Sequence, residues 1–315
     1  MKAMQYRDYG TPDQLQLAEV TTPRPGPTQL LVRVLATSVN PIDWKLHNGQ
    51  YRHIMPVRFP SIPGFDLAGE VTEVGAQVTR FKPGDRVFAM LDRRPGGTSA
   101  EYVVVGELAA ARSPTNLKPE EAAAIPLAGL TALQCLRDLG RIASGKRVLI
   151  IGAAGGVGHL AVQIARSYGA NVTAVCSGRN AELMRRLGAD RIIDYTQTPD
   201  LRGPQPYDLV LDFIAHSPLR QLLALLAANG IYVSSLPSAS RIAAAFLLPL
   251  VSRRRVRIAG VKPRGVDLDE LSRLCEAGTL RPVIDRTFNL EELAAAHAYS
   301  QQGRTVGKVV IQVAS

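Results

Sequence analysis

The chain has 315 residues, 46% of them apolar and 20% charged, and a formal net charge of +10. That length exceeds what one hydrophobic core organises and predicts two domains, while the composition excludes a disordered chain and the apolar runs are too short for a transmembrane span. The opening residues MKAMQYRDYG lack the apolar stretch of a secretory signal, and three widely spaced cysteines (Cys135, Cys176, Cys275) suit neither a disulfide framework nor a thiolate zinc site, so a cytoplasmic protein is expected.

Residues 30–34, 69–74 and 100–105 alternate or run in β-branched residues between Pro and Gly turns, which predicts a small barrel-like β domain. From about residue 120 the texture changes to an Ala-rich helical segment over 120–139. Strands expected at 147–151, 172–176, 191–194, 208–213, 231–234 and 256–261 then alternate with helical segments. This spacing implies right-handed βαβ crossovers and a parallel sheet covered on both faces. Helices around 268–277 and 290–301 and a strand over 308–313 follow, and are expected to return to the first domain. The fold class is therefore α/β, with a β domain over 1–121, a doubly wound parallel-sheet domain over 122–262 and a C-terminal return over 263–315.

Directly after the run at 147–151 stands Gly152-Ala153-Ala154-Gly155-Gly156-Val157-Gly158, followed by a helical pattern with Leu160, Ala161, Ile164, Ala165 and Tyr168 on one face. Small residues let the backbone turn tightly and approach a pyrophosphate, whose charge sits on the amides and dipole of the helix start. The strand before the loop, the helix after it and the further strands supply the context that a glycine motif alone lacks. The end of the second strand decides between dinucleotides, because an acid there binds the ribose hydroxyls of NAD and repels a 2′-phosphate. Cys176-Ser177-Gly178-Arg179-Asn180 offers no acid, while Ser177 can donate a hydrogen bond and Arg179 can face a phosphate with a charged fork, so NADPH is expected.

Together with others, these residues resemble the zinc-free quinone oxidoreductase branch of the medium-chain dehydrogenase/reductase superfamily, including its reticulon-interacting-protein-like and plastid-envelope members. The matching runs are Ser38-Val39-Asn40-Pro41-Ile42-Asp43, Ile62-Pro63-Gly64-Phe65-Asp66-Leu67-Ala68-Gly69 and Phe81-Lys82-Pro83-Gly84-Asp85-Arg86-Val87. Further on come Gly97-Thr98-Ser99-Ala100-Glu101-Tyr102, Leu127-Ala128-Gly129-Leu130-Thr131-Ala132, the glycine loop and Gly307-Lys308-Val309-Val310. The resemblance implies a GroES-like β-barrel substrate domain, a Rossmann domain and a homodimer joined edge to edge through the Rossmann sheets.

Zinc-dependent relatives carry a Cys in the loop held here by residues 40–43 and a His-Glu pair where this chain has Phe65-Asp66. They also carry a four-Cys lobe where it runs from Met90 to Gly97 without a Cys, so no metal site is expected. The resemblance implies that Ser177 and Tyr195 contact the adenosine 2′-phosphate with Arg179 nearby, and that Asn40 and Thr131 lie beside the nicotinamide ribose and carboxamide. It further implies that Leu236 meets the nicotinamide through its backbone and that Arg304 and Lys308 reach back to the cofactor, although Thr305 and Val306 depart from the usual pattern.

Without zinc to polarise an alcohol, the expected reaction is hydride transfer to an acceptor that is already activated, a quinone or an α,β-unsaturated carbonyl. Tyr51, in the stretch Gly49-Gln50-Tyr51 that lines the family's substrate pocket, and Asp43 are the candidate catalytic residues for proton delivery. Asp43 has the alternative role of anchoring the loop that presents Asn40. Alkenal, enone or enoyl-thioester double-bond reduction is a second enzyme reading on the same fold. A non-catalytic NADPH-binding protein that touches RNA is a reading of another class. Against it, the basic residues are scattered, apart from Arg253, Arg254, Arg255 and Arg257, and are not interleaved with the few aromatics, so no nucleic-acid partner is expected. The apolar residues 242–251 preceding Arg253 suit dimer packing or a pocket lid, with peripheral membrane contact as the alternative.

Overall fold

The computed structural model describes residues 1–91 and 96–313. It divides into two compact units, Met1–Leu130 with Lys262–Ser315, and Thr131–Val261.

Lys2–Gln5 (β1) and Gln16–Glu19 (β2) form an antiparallel ribbon. In Gln29–Val39 (β3), Leu30, Val32, Val34 and Ala36 are fully buried at every second position, the period of a pleated strand. Asn40 begins Pro41–His47 (α1), where a proline in the first turn has no helical amide bond to lose. Asp66–Val74 (β4), Arg86–Met90 (β5), Tyr102–Gly106 (β6) and Ala110–Arg112 (β7) follow, then Pro119–Ala123 (α2) and Pro126–Gln134 (α3), which continues as a π-helical turn over Cys135–Leu139.

Next, Arg147–Ile151 (β8), Gly158–Ser167 (α4), Asn171–Cys176 (β9), Ala181–Arg186 (α5), Arg191–Asp194 (β10) and Tyr207–Asp212 (β11) alternate. Leu219–Ala224 (α6), Leu226–Ser234 (β12), Ala239–Val251 (α7) and Arg255–Ile258 (β13) complete the second unit. Gly265–Glu276 (α8), Ile284–Asn289 (β14), Leu293–Gln301 (α9) and Lys308–Gln312 (β15) cluster with the first.

The sheet of the first unit runs β14-β15-β3-β4-β5-β7, with β6 also on β3. Antiparallel pairing sets Val309 of β15 opposite Val39 of β3, so Lys308 arrives beside the start of α1. The second sheet runs β10-β9-β8-β11-β12-β13 with every pair parallel. Both faces of its middle strands are covered, which is why β8 reads as the unbroken apolar run Val148 to Ile151. Leu160, Ala161, Ile164 and Ala165 of α4 are fully buried. The architecture is α/β, a β-rich unit with a doubly wound parallel sheet, as the alternation of elements predicts. Strand β12 starts five residues ahead of its expected position, residues 239–251 form a helix, and β14 had no counterpart among the expected strands.

Candidate active site

In the first unit a buried polar cluster forms where β3, β4, α1 and β15 meet. Asp66 is fully buried at the start of β4, and its Oδ2 accepts from Ser38 Oγ (2.5 Å), Asn40 Nδ2 (2.8 Å) and Lys308 Nζ (3.4 Å), while its Oδ1 accepts from the Leu127 amide (2.7 Å). Lys308 Nζ also donates to Asn40 Oδ1 (2.6 Å) and to the Val39 carbonyl (3.3 Å), so three acceptors serve the three donors of one ammonium. A buried charge is tolerated when it is paired and fully hydrogen-bonded, and both members of this pair are.

Asp43 is differently placed. Its Oδ2 accepts the Asn40 amide (2.7 Å), an arrangement that a carboxylate three residues into a helix makes naturally, whereas its buried Oδ1 has no protein partner. Burial pushes the Asp43 carboxyl up to about 8; the Asn40 amide opposes the rise, the Asp66 charge adds to it and the Lys308 ammonium counters it.

Asn40, Asp43 and Lys308 thus come together. Tyr51 is half-buried against the same hydrophobic core, and Arg304 is exposed. Ser38 and Asp66 form the hub of the cluster but were not among the candidate site residues. The available signal was an acid inside the otherwise apolar run at 65–69.

In the second unit the glycine loop leaves the carboxyl end of β8, next to the point where strand order reverses between β8 and β11. Gly152 has φ +80, and a Cβ on Gly158 would stand 2.2 Å from the Gly152 carbonyl oxygen, so only glycine closes the strand-to-helix turn. Ala154, Gly155, Gly156 and Val157 lie between these two anchors, and His159, at the start of α4, is fixed by its Nδ1 on the Gly155 carbonyl (2.9 Å).

Register pairs Asp194 of β10 with Cys176 of β9, so Ser177, Arg179 and Tyr195 emerge side by side from the ends of these strands. The Tyr195 amide donates to the Cys176 carbonyl (3.2 Å), and its ring is 58% exposed. The structure adds an acid here: Asp194 Oδ2 lies 2.4 Å from where a Gly178 Cβ would stand. The hydroxyl and amide of Thr196 bind Asp194 Oδ1 (2.7 and 2.9 Å) and hold this carboxyl below the usual range. Thr131 is buried in α3, and Leu236 follows β12 with its amide on Ser234 Oγ (3.2 Å).

The donor set does not suit zinc. The cluster around Asp66 contains two carboxylates, an amide and a bound ammonium, with no Cys or His, and the ammonium held on Asp66 Oδ2 repels a metal ion. Among the described residues no three His, Cys, Asp or Glu side chains are arranged to hold a metal; within the Met90 to Gly97 run, residues 92–95 lie outside the described residues.

A family model described as an alcohol dehydrogenase GroES-like domain matches residues 26–115, and one described as a zinc-binding dehydrogenase matches residues 187–311. The chain is 37% identical over 324 residues to the chloroplastic quinone-oxidoreductase QR1 of Triphysaria versicolor, covering 99% of this chain and 98% of the relative. The quinone oxidoreductase of Coxiella burnetii superposes with a TM-score of 0.90 at 33% identity, covering 100% of this chain and 99% of that one. The Escherichia coli quinone oxidoreductase complexed with NADPH gives 0.85 at 25% identity, covering 99% and 100%. The chain belongs to the quinone oxidoreductase-like branch of the medium-chain dehydrogenase/reductase superfamily.

Proposed function

We propose that the protein is a metal-independent oxidoreductase that passes a hydride from NADPH to quinones or other conjugated carbonyls. The observation that carries this reading is the place of the glycine loop, at the reversal of strand order, where open parallel sheets bind dinucleotides. Ala154, Gly155, Gly156, Val157 and Gly158 would hold the pyrophosphate, and Ser177, Arg179 and Tyr195 the adenosine end with its 2′-phosphate. Asp194 stands close to this end, its Oδ1 bound by Thr196 and its Oδ2 facing Gly178. Thr131 and Leu236 would take the nicotinamide half; Asn40, Arg304 and Lys308 are assigned to it by the family resemblance alone. The proposed domain boundaries are 1–121, 122–262 and 263–315.

Bound NADPH supplies the hydride, and a conjugated acceptor needs no metal to make it electrophilic. Tyr51 presents a phenol for proton delivery; Asp43, protonated near neutrality, keeps Asn40 in place and stores a proton. Homodimer formation and a cytoplasmic location belong to the same proposal. The edge position of β13 supports the dimer, and three buried free cysteines fit a reducing compartment. The QR1 relative is chloroplastic by name, so imaging of a tagged protein is the check.

The test is oxidation of NADPH and NADH against 1,4-benzoquinone, 9,10-phenanthrenequinone, 2-alkenals, alkyl enones and crotonyl thioester, with and without a metal chelator. Quinone turnover unaffected by chelator is expected, with NADPH preferred roughly 10- to 100-fold, the range a charge-assisted phosphate contact supplies. Preference for alkenals or the thioester moves the assignment to double-bond reduction. No oxidation on any acceptor removes the catalytic reading.

A further inference from the structure

Asp212 ends β11, the strand beside β8 on the far side of the strand-order reversal, and is 1% exposed. Its Oδ1 accepts from the amides of Ile214 (3.1 Å) and Ala215 (2.7 Å). Its Oδ2 accepts from the Tyr232 hydroxyl (2.7 Å) and from Arg241 Nη2 (3.4 Å). Arg241, 7% exposed in the first turn of α7, also donates from Nε to the Tyr232 oxygen (2.8 Å), from Nη1 to Ser238 Oγ (3.3 Å) and from Nη2 to the Ser217 carbonyl (3.3 Å). One guanidinium therefore ties together α7, β12, the end of β11 and the loop after it.

We propose that Arg241 is a positioning residue for hydride transfer, holding the turn at residues 213–215 through Asp212 so that Ile214 stays seated beside the glycine loop. The assignment rests on the dinucleotide reading above. A buried ion pair of this kind brings little net stability, because desolvating two charges offsets their attraction; what it fixes is geometry. Ala215 has φ +58, uncommon for a residue with a Cβ, and such a conformation persists where the surroundings over-determine it. Here the Asp212 carboxylate binds the Ala215 amide directly.

The consequence reaches the cofactor loop. A Cβ on Gly152 would stand 2.6 Å from Ile214 Cγ1, and the Phe213 amide donates to the Ile151 carbonyl (3.2 Å), so the turn and the glycine loop are seated on each other. Ile214 is nevertheless 50% exposed, an apolar side chain bordering the crevice instead of filling the core. In a sheet of this order one mononucleotide half lies over β8 to β10 and the other over the strands past the reversal, β11 and β12. With the pyrophosphate loop and Ser177 on the first side, Ile214 walls the nicotinamide side. Burial pushes the Tyr232 phenol up to about 12, which keeps it a donor to Asp212 throughout the neutral range. Misplacement of reacting atoms by about 1 Å costs roughly 100-fold in rate, so a wall at this position acts on rate more than on affinity.

The test uses Arg241→Met, Arg241→Lys, Tyr232→Phe and Ile214→Ala in the full chain. Amide hydrogen exchange over residues 212–218 is measured without cofactor, NADPH affinity by calorimetry, and kcat with 1,4-benzoquinone. Arg241→Met and Tyr232→Phe are expected to speed exchange at Ile214 and Ala215 by about 10-fold or more. They are also expected to lower kcat roughly 10- to 100-fold while the Kd for NADPH changes less than about 3-fold. Arg241→Lys restores part of both. Ile214→Ala, which leaves the ion pair intact, lowers kcat without speeding exchange.

Arg241→Met risks failing to fold, so the outcome is decided by Tyr232→Phe and Ile214→Ala. Folded proteins of both kinds with wild-type exchange and wild-type kcat overturn the assignment. A wild-type protein that binds no NADPH overturns the dinucleotide reading and this assignment with it, a failure visible before any variant is made.

Discussion

At the scale of single residues, Asp66 and Asp43 show how one buried site treats two acids differently. Asp66 has four donors, one of them an ammonium, whereas Asp43 has one backbone amide, so the proton settles on Asp43. Its folded pKa is raised above the ordinary carboxyl value near 4, so the native state binds the extra proton. The stability this proton confers is complete below about pH 4 and is lost as pH rises toward about 8, by at most about 1.4 kcal/mol per pH unit. His297 and His47 run the other way: burial lowers both, His297 to about 3, so they stabilise the fold above the ordinary imidazole value near 6.5 and lose that contribution in acid. The difference between wild type and Asp43→Asn isolates the carboxyl. We expect the Tm advantage of Asp43→Asn to grow steadily from pH 5 to pH 8; a difference that stays flat over this window means that Asp43 is ionised in the native protein.

At the scale of elements, hydrophobic pattern made the parallel sheet legible, because β8, β9 and β11 are mostly buried and carry apolar runs such as Val148 to Ile151 and Leu209 to Leu211. The same signal fails at sheet edges. Strand β14, Ile-Asp-Arg-Thr-Phe-Asn, pairs with β15 alone among the described residues, has no buried residue and so carries no alternation to read. Site legibility followed the same line. The glycine loop is contiguous and shows itself, whereas Asp212 and Arg241 lie 29 positions apart and meet only because β11 and β12 are neighbours. The loop also yields a contrast between two of its glycines. A methyl group on Gly158 meets the Gly152 carbonyl at 2.2 Å and the Ala153 Cα at 2.7 Å, backbone atoms with nowhere to go, while the nearest atom to one on Gly155 is 3.4 Å away. Gly158→Ala should therefore cost about 1–3 kcal/mol by thermal or urea unfolding, and Gly155→Ala less than about 0.5 kcal/mol. If the loop holds the pyrophosphate as proposed, calorimetry should show weakened NADPH binding by a Gly155→Ala protein of unchanged stability. Equal stability losses in the two variants would contradict the loop geometry.

At the scale of the molecule, the largest unexplained feature is the outer face of α7. Phe246 is 75% exposed, Leu250 78% and Val251 85%, on a helix packed against β13, the last strand of its sheet. A strand with one unpaired edge next to an apolar helix invites a partner. Of the arginines that follow, two are engaged with their own chain: Arg254 donates to the Leu226 and Ala227 carbonyls, and Arg255 to those of Ser252 and Arg254. Those bonds hold two guanidinium groups against their own backbone, and the exposed Phe246, Leu250 and Val251 favour a second copy of the same apolar face. A two-fold pairing repeats each contact, so one substitution acts twice. Light scattering should give twice the chain mass for the wild type, and Phe246→Glu combined with Leu250→Glu should give a single chain mass. Both positions are already exposed to water, so monomer stability should move by less than about 0.5 kcal/mol. A wild type that is monomeric at high concentration yet sediments with anionic vesicles would reassign this face to a membrane, whereas a charged variant that remains dimeric would place the interface elsewhere on the chain.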